Sequence, residues 1–189
     1  ATMGRGGAGG GRGKGAVRRA PTYSRVGQRP GVCMAASGPA TINLATGLAN
    51  ALIDCCPVGA LGGAGPISGY GRQVFQEIDQ MEIMSGCVKY AARVHDARRI
   101  PEMLNTAMQR AMSGKPGPVY LDLPGDVLYQ MVDEDKIDWS LSGRPILGAR
   151  PPADPAQIEA LAAALIKAER PVLLSGSGVI WSQAWEEMQ

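Results

Sequence analysis

A chain of 189 residues suits one domain, or one domain with a piece of another. Its composition is 45% hydrophobic with a single Phe and three Trp, so any core is aliphatic, and the formal net charge is only +2. No apolar run reaches the ~18 residues that cross a bilayer, and no hydrophobic stretch of the signal-peptide kind opens the chain, which argues against a membrane span or export and for a cytoplasmic protein.

The small net charge hides an asymmetry. Seven Lys or Arg lie between Arg5 and Arg29, no Asp or Glu precedes Asp54, and the remainder of the chain is acidic. Cys33, Cys55, Cys56 and Cys87 show no C-x-x-C spacing, and His95 is the only histidine. Buried free thiols are expected, and no zinc site.

Residues 1–22 are mainly Gly, Ala and Arg, with no hydrophobic period. They are expected to be disordered, because so little apolar burial cannot offset the entropy of ordering. From Tyr23 a regular alternation begins. Residues 32–36 form an apolar strand, and Gly38-Pro39 turns the chain into a helix over 41–54, with Ile42, Leu44, Ala45, Leu48, Ala49 and Leu52 at helical spacing. Pro57 ends that helix and residues 58–61 make the next strand. Residues 62–71, with five Gly and Pro66, are an irregular loop. A short helix over 78–84, a strand over 88–94, a helix over 100–112 and a strand over 119–123 follow. Repeated β-α-β units imply an α/β domain over 23–130, built on a parallel sheet flanked by helices. Residues 131–153 are charged and then proline-rich, as an interdomain linker is. Residues 154–189 begin a second α/β domain: a helix over 155–168 capped by Asp154, a strand over 171–174, a glycine turn, and a helix starting at 182.

Within this pattern Gly38 leaves room for a planar ring to approach the backbone, and Pro39 fixes the turn that opens the helix. Asn43, one turn on, would point its amide the same way. Gln76 follows the glycine-rich loop, where functional groups are displayed by a rigid scaffold. The plainer alternatives are an ordinary strand–helix turn for Gly38, Pro39 and Asn43, and a helix-capping loop residue for Gln76. Phe75 is expected to anchor that loop in the core. Asp54, Lys89 and Asp122 look structural, Lys89 and Arg93 are expected on one solvated or interfacial face of their strand, and His95 is expected on the surface. Gly176-Ser177-Gly178 fails the dinucleotide fingerprint, because Trp181 stands where the third glycine is required.

The runs Gly31-Val32-Cys33-Met34-Ala35-Ala36-Ser37-Gly38-Pro39-Ala40-Thr41-Ile42-Asn43, Phe75-Gln76-Glu77-Ile78-Asp79 and Gly117-Pro118-Val119-Tyr120-Leu121-Asp122-Leu123-Pro124 together resemble the pyrimidine-binding domain of thiamine-diphosphate-dependent enzymes. The nearest look-alikes are acetolactate synthase, oxalyl-CoA decarboxylase and 2-hydroxyacyl-CoA lyase. The resemblance covers Tyr23 to Gln189, and residues 154–189 resemble the start of that family's central domain. It implies that Gly38, Pro39 and Asn43 contact the cofactor's aminopyrimidine and that Gln76 contacts substrate. Ala40 departs from the family pattern, which has a second glycine there. The implied cofactors are thiamine diphosphate and Mg2+, with FAD a further possibility in some members. The implied activity is a carbon–carbon lyase, decarboxylase or synthase acting on 2-oxo acids or 2-hydroxyacyl- or oxalyl-CoA, in a homodimer or homotetramer paired through this domain.

Two parts of such an enzyme are missing. The family's activating glutamate lies roughly eighteen residues before Gly31, among Gly11–Gly15 here, and glycine or arginine supplies no carboxyl group for that proton chemistry. The Gly-Asp-Gly…Asn motif that holds diphosphate and magnesium is also absent from the sequence. A fragment inactive by itself is therefore the expectation. The alternatives are a non-catalytic partner subunit and an RNA-binding protein driven by the Arg-Gly tail, the latter weakened by a single Arg-Gly-Gly run and no aromatic residue before Tyr23.

Overall fold

The computed structural model describes residues 13–140 and 152–189, and the chain divides into two units, 1–148 and 149–189. The first unit holds four parallel strands, β1 (Gly31–Ala35), β2 (Val58–Ala64), β3 (Tyr90–Arg93) and β4 (Val119–Pro124), in the order β1-β2-β4-β3. Its helices are α1 (Gly13–Gly27), α2 (Pro39–Ile42), α3 (Ala45–Ile53), α4 (Gln80–Ser85), α5 (Ile100–Met112) and α6 (Gly125–Leu128). The parallel sheet flanked by helices is the architecture that the sequence implies.

Side chains alternate across each strand, so every strand feeds two layers. Cys33, Val58, Ala60 and Tyr120 face a core with Val17 and Ala20 of α1, Leu44, Leu48 and Ala51 at α3, and Met84 of α4. Val119 and Leu121 face the other way, against Ala107 and Ala111 of α5. That second layer does not reach the edge strand, where Val32 and Met34 of β1 are exposed.

The disorder expected over 1–22 is corrected for residues 13–22, which lie in α1; the Gly-Arg stretch over 1–12 falls outside the described residues. Val17, Ala20 and Ser24 recur at helical spacing and are all buried. Pro21 removes one backbone bond from the middle of the helix, so tertiary packing rather than propensity holds it. Two glycines make the packing close. A Cβ on Gly31 would strike the Ala20 carbonyl, and one on Gly47 would strike the Val17 side chain.

The helix expected over 41–54 is two, α2 and α3, broken at Asn43-Leu44. Of the expected linker, residues 141–151 lie outside the described residues. The second unit contains α7 (Pro155–Lys167) and α8 (Ser177–Ser182). Asp154 caps α7, its side chain accepting from the Ala156 N–H at 2.9 Å. The strand expected over 171–174 is not formed. Val172, Leu173 and Leu174 are exposed, and no neighbouring strand is present among the described residues of this unit to take up their backbone bonds. The helix expected from 182 instead ends there, with Gln183 in the left-handed conformation. Among the described residues no helix is long and apolar enough to cross a membrane, and no His, Cys, Asp and Glu cluster could hold a metal.

The four cysteines are free, three of them buried. Burial pushes the Cys33 thiol from its ordinary 9.0 up to about 12, and burial, with the neighbouring Asp122 carboxylate, also raises the Tyr120 phenol. Both groups are neutral in the fold but ionise earlier in the unfolded chain. The Cys33 contribution is therefore complete below pH 9.0 and is lost as pH rises toward about 12, while that of Tyr120 starts to fall only above pH 10.0. Urea unfolding should show stability falling across that window, with a shallower fall in Cys33→Ala. At neutral pH, Ser24→Ala should stabilise the chain by about 1 kcal/mol, because the buried Ser24 hydroxyl has no hydrogen-bond partner among the described residues.

Candidate functional site

At the C-terminal edge of a parallel sheet, loops carry the ligand sites of α/β proteins. Here the turn after β1 meets the loop between β2 and α4. Gly38 has φ 61° and ψ −121°, a conformation open to glycine. A Cβ at Gly38 would collide with the carbonyl oxygen of Gln76. The room that the sequence suggests for a ring is thus occupied by Gln76 backbone. Gln76 is itself left-handed, at φ 61°, which costs about 1 kcal/mol for a residue with a side chain. Its Oε1 accepts from the Ser37 hydroxyl at 2.8 Å, leaving the Nε2 hydrogens without a partner among the described residues.

The Gly38 turn is anchored by Gln80, the first residue of α4 and 1% exposed. Its Oε1 accepts from the Gly38 N–H at 3.0 Å. Its Nε2 donates to the Gly63 carbonyl at 2.7 Å and to the Tyr120 hydroxyl at 2.9 Å, and also lies against Asp122 Oδ1. The Tyr120 hydroxyl donates to the same carboxylate oxygen. Asp122 is fully buried, and its Oδ2 accepts from Arg93 Nε at 2.6 Å. The Arg93 guanidinium lies 5.2 Å from the centre of the Tyr70 ring, in the loop after β2. One polar network therefore ties the ends of β1, β2, β3 and β4 to the Gly38 turn.

Asn43 belongs to a different surface. Exposed, it lines a groove between α1 and α3 with a cavity volume of about 540 Å3, together with Lys14, Arg18, Arg25, Thr46 and Asn50. The single carboxylate of that lining is Asp54, whose Oδ2 accepts from Asn50 Nδ2 at 3.0 Å.

The structure thus brings Gly38 and Gln76 into contact, leaves Pro39 exposed beside them, and turns Asn43 toward the groove. Phe75 is corrected: it is 87% exposed and anchors no core. The loop is pinned instead by Glu77, whose carboxylate accepts from the Val74 N–H at 2.9 Å. Lys89 donates to the Ser113 and Lys115 carbonyls beyond α5, and His95 is exposed. Gln80 escaped the sequence reading, although its pairing with Met84 one helical turn on marks an inward face.

The family model for the thiamine pyrophosphate enzyme N-terminal TPP binding domain matches residues 13–83. A probable acetolactate synthase large subunit from Methanocaldococcus jannaschii is 37% identical over 176 residues, 92% of this chain and 29% of that protein. A 2-hydroxyacyl-CoA lyase from Arabidopsis thaliana is 33% identical over 177 residues, 90% of this chain and 30% of that protein. The acetolactate synthase isozyme 2 large subunit of Escherichia coli is 35% identical over 171 residues, with 90% and 30% covered. The chain spans less than a third of the length of these relatives.

Breaking the network should be expensive. Arg93→Met strands the buried Asp122 carboxylate and should cost about 3 kcal/mol in urea unfolding. Gln80→Leu removes partners from Gly38, Gly63 and Tyr120 and should cost a similar ~3 kcal/mol. The double variant should fall short of the sum by ~1 kcal/mol, since both act on one network; full additivity would show that the two residues are independent.

Proposed function

The chain carries the N-terminal TPP-binding domain of the thiamine pyrophosphate enzymes, and on that premise we propose that it is the pyrimidine-binding part of a carbon–carbon lyase, decarboxylase or acetolactate synthase-type transferase. Its substrates would be 2-oxo acids, or 2-hydroxyacyl or oxalyl thioesters of CoA. The observation that carries this reading is that the matched stretch contains the Gly38 turn, Asn43 and Gln76 together. Gly38, Pro39 and Asn43 would contact the aminopyrimidine. Gln76, oriented by Ser37, would offer its amide N–H to substrate. Magnesium and the diphosphate would be held by parts of the enzyme other than this stretch, and the subunits would pair as a dimer or tetramer through this domain.

The residues present do not fit activation of the cofactor. That step needs a carboxyl group on a pyrimidine nitrogen. The corresponding place falls among residues 11–15, where the sequence has only Gly, Arg and Lys. In the groove that Asn43 faces, the single carboxylate is Asp54, at the far end of α3 from Asn43 and bonded to Asn50. Lys14, Arg18 and Arg25 stand there instead. The contribution of this chain would be to hold a ring and present Gln76. The same observation favours a second reading, a non-catalytic subunit that completes an active partner.

Titrating thiamine diphosphate with magnesium into the 15N-labelled chain tests the contacts. Amide shifts are expected at Gly38, Asn43 and Gln76, and Asn43→Ala should weaken binding by about tenfold, the equivalent of one lost hydrogen bond. Deuterium exchange at the thiazolium carbon should run no faster than in free cofactor. A folded chain with no shift at any of the three positions would overturn the reading.

A further inference from the structure

The groove between α1 and α3 is distinct from the Gly38–Gln76 contact, and its chemistry is that of an anion receptor. We propose that it binds a small organic phosphate, the phosphate on Lys14, Arg18 and Arg25 and the organic body on the floor beneath them. Lys14, Arg18 and Arg25 follow one another at intervals of four and seven residues, which sets all three on one side of α1. Asn43, Thr46 and Asn50 face them across the groove at intervals of three and four. Each amide or hydroxyl there can donate to a phosphate oxygen.

The cations lack a carboxylate partner among the described residues. Arg25 reaches Asp54 only at its backbone carbonyl, at 3.4 Å, while the Asp54 side chain is held by Asn50. Lys14 and Arg18 stand one helical turn apart, a like-charge arrangement that weakens a helix. An anion between them would relieve that repulsion in the same helix that Pro21 already weakens. The floor is apolar, formed by the buried Val17 and Cys56 beside Gly47. The cavity, about 540 Å3, lies in the range of small-molecule sites. Arginine forks match tetrahedral oxyanions in a bidentate way, which favours phosphate over a single carboxylate.

The test is a titration of the 15N-labelled chain with phenyl phosphate at low salt, with inorganic phosphate and unphosphorylated thiamine in parallel. Shifts are expected at Val17, Thr46, Gly47 and Asn50. Phenyl phosphate should bind more tightly than inorganic phosphate because of the apolar floor. Arg18→Glu with Arg25→Glu should weaken it by about tenfold or more, and high salt should weaken it as well. Both side chains are exposed, so the double variant should keep the wild-type circular dichroism. Thiamine should leave Val17, Thr46, Gly47 and Asn50 unmoved, which separates this outcome from a ring contact at Gly38 and Asn43. The proposal is overturned if phenyl phosphate moves no groove amide, or if the charge-reversed variant binds it equally well.

Discussion

The geometry of the turn after β1 depends on one buried side-chain amide. Gln80 accepts from Gly38 and donates toward Gly63, Tyr120 and Asp122 while almost wholly out of water. A buried primary amide without partners would cost several kcal/mol, so the conformations that satisfy it are strongly selected. Those conformations include the positive φ of Gly38, which glycine alone adopts freely; Gln76, packed against that turn, also has a positive φ, which its side chain disfavours. The local strain is tolerated because the surrounding bonds over-determine it.

The network also explains why a charged residue can occupy a central strand. Asp122 lies on β4, between β2 and β3, with its side chain on the α4 face and fully buried. It survives there because Arg93 on the neighbouring strand meets one oxygen and Tyr120 meets the other. Such an arrangement gives little net stability against an apolar equivalent, but breaking it is costly. Its effect is to fix the register of β3 on β4 and to bring the Tyr70 loop over the Arg93 guanidinium.

The family match and the charge of the α1–α3 groove point to different chemistry. The match covers Gly38 and Asn43, proposed above to meet a pyrimidine ring, and Gln76, proposed to meet substrate. The groove beside Asn43 carries three cations where ring activation would need a carboxyl group. A domain with this surface can keep the fold of a cofactor-binding module while its recognition shifts toward anions, since fold and site chemistry are separable.

The sequence by itself determined the alternation of strands and helices between residues 31 and 124, because hydrophobic period and Pro/Gly punctuation are local properties. It also marked Gly38, Pro39, Asn43 and Gln76 as candidates, through the turn chemistry and the family resemblance. It misjudged α1, since Val17, Ala20 and Ser24 form a stripe too sparse to signal a helix until Gly31 and Gly47 let the helix sink onto its neighbours. Phe75 looked like a core residue by type and is outside, because burial is decided by where a loop lands. Only the tertiary structure decided that Gln80 governs the Gly38 turn, that Asn43 opens toward Lys14 and Arg18, and that residues 171–174 stay unpaired. Each of these depends on partners distant in sequence, and a hydrogen bond or a charge pair exists only once folding has brought both partners together.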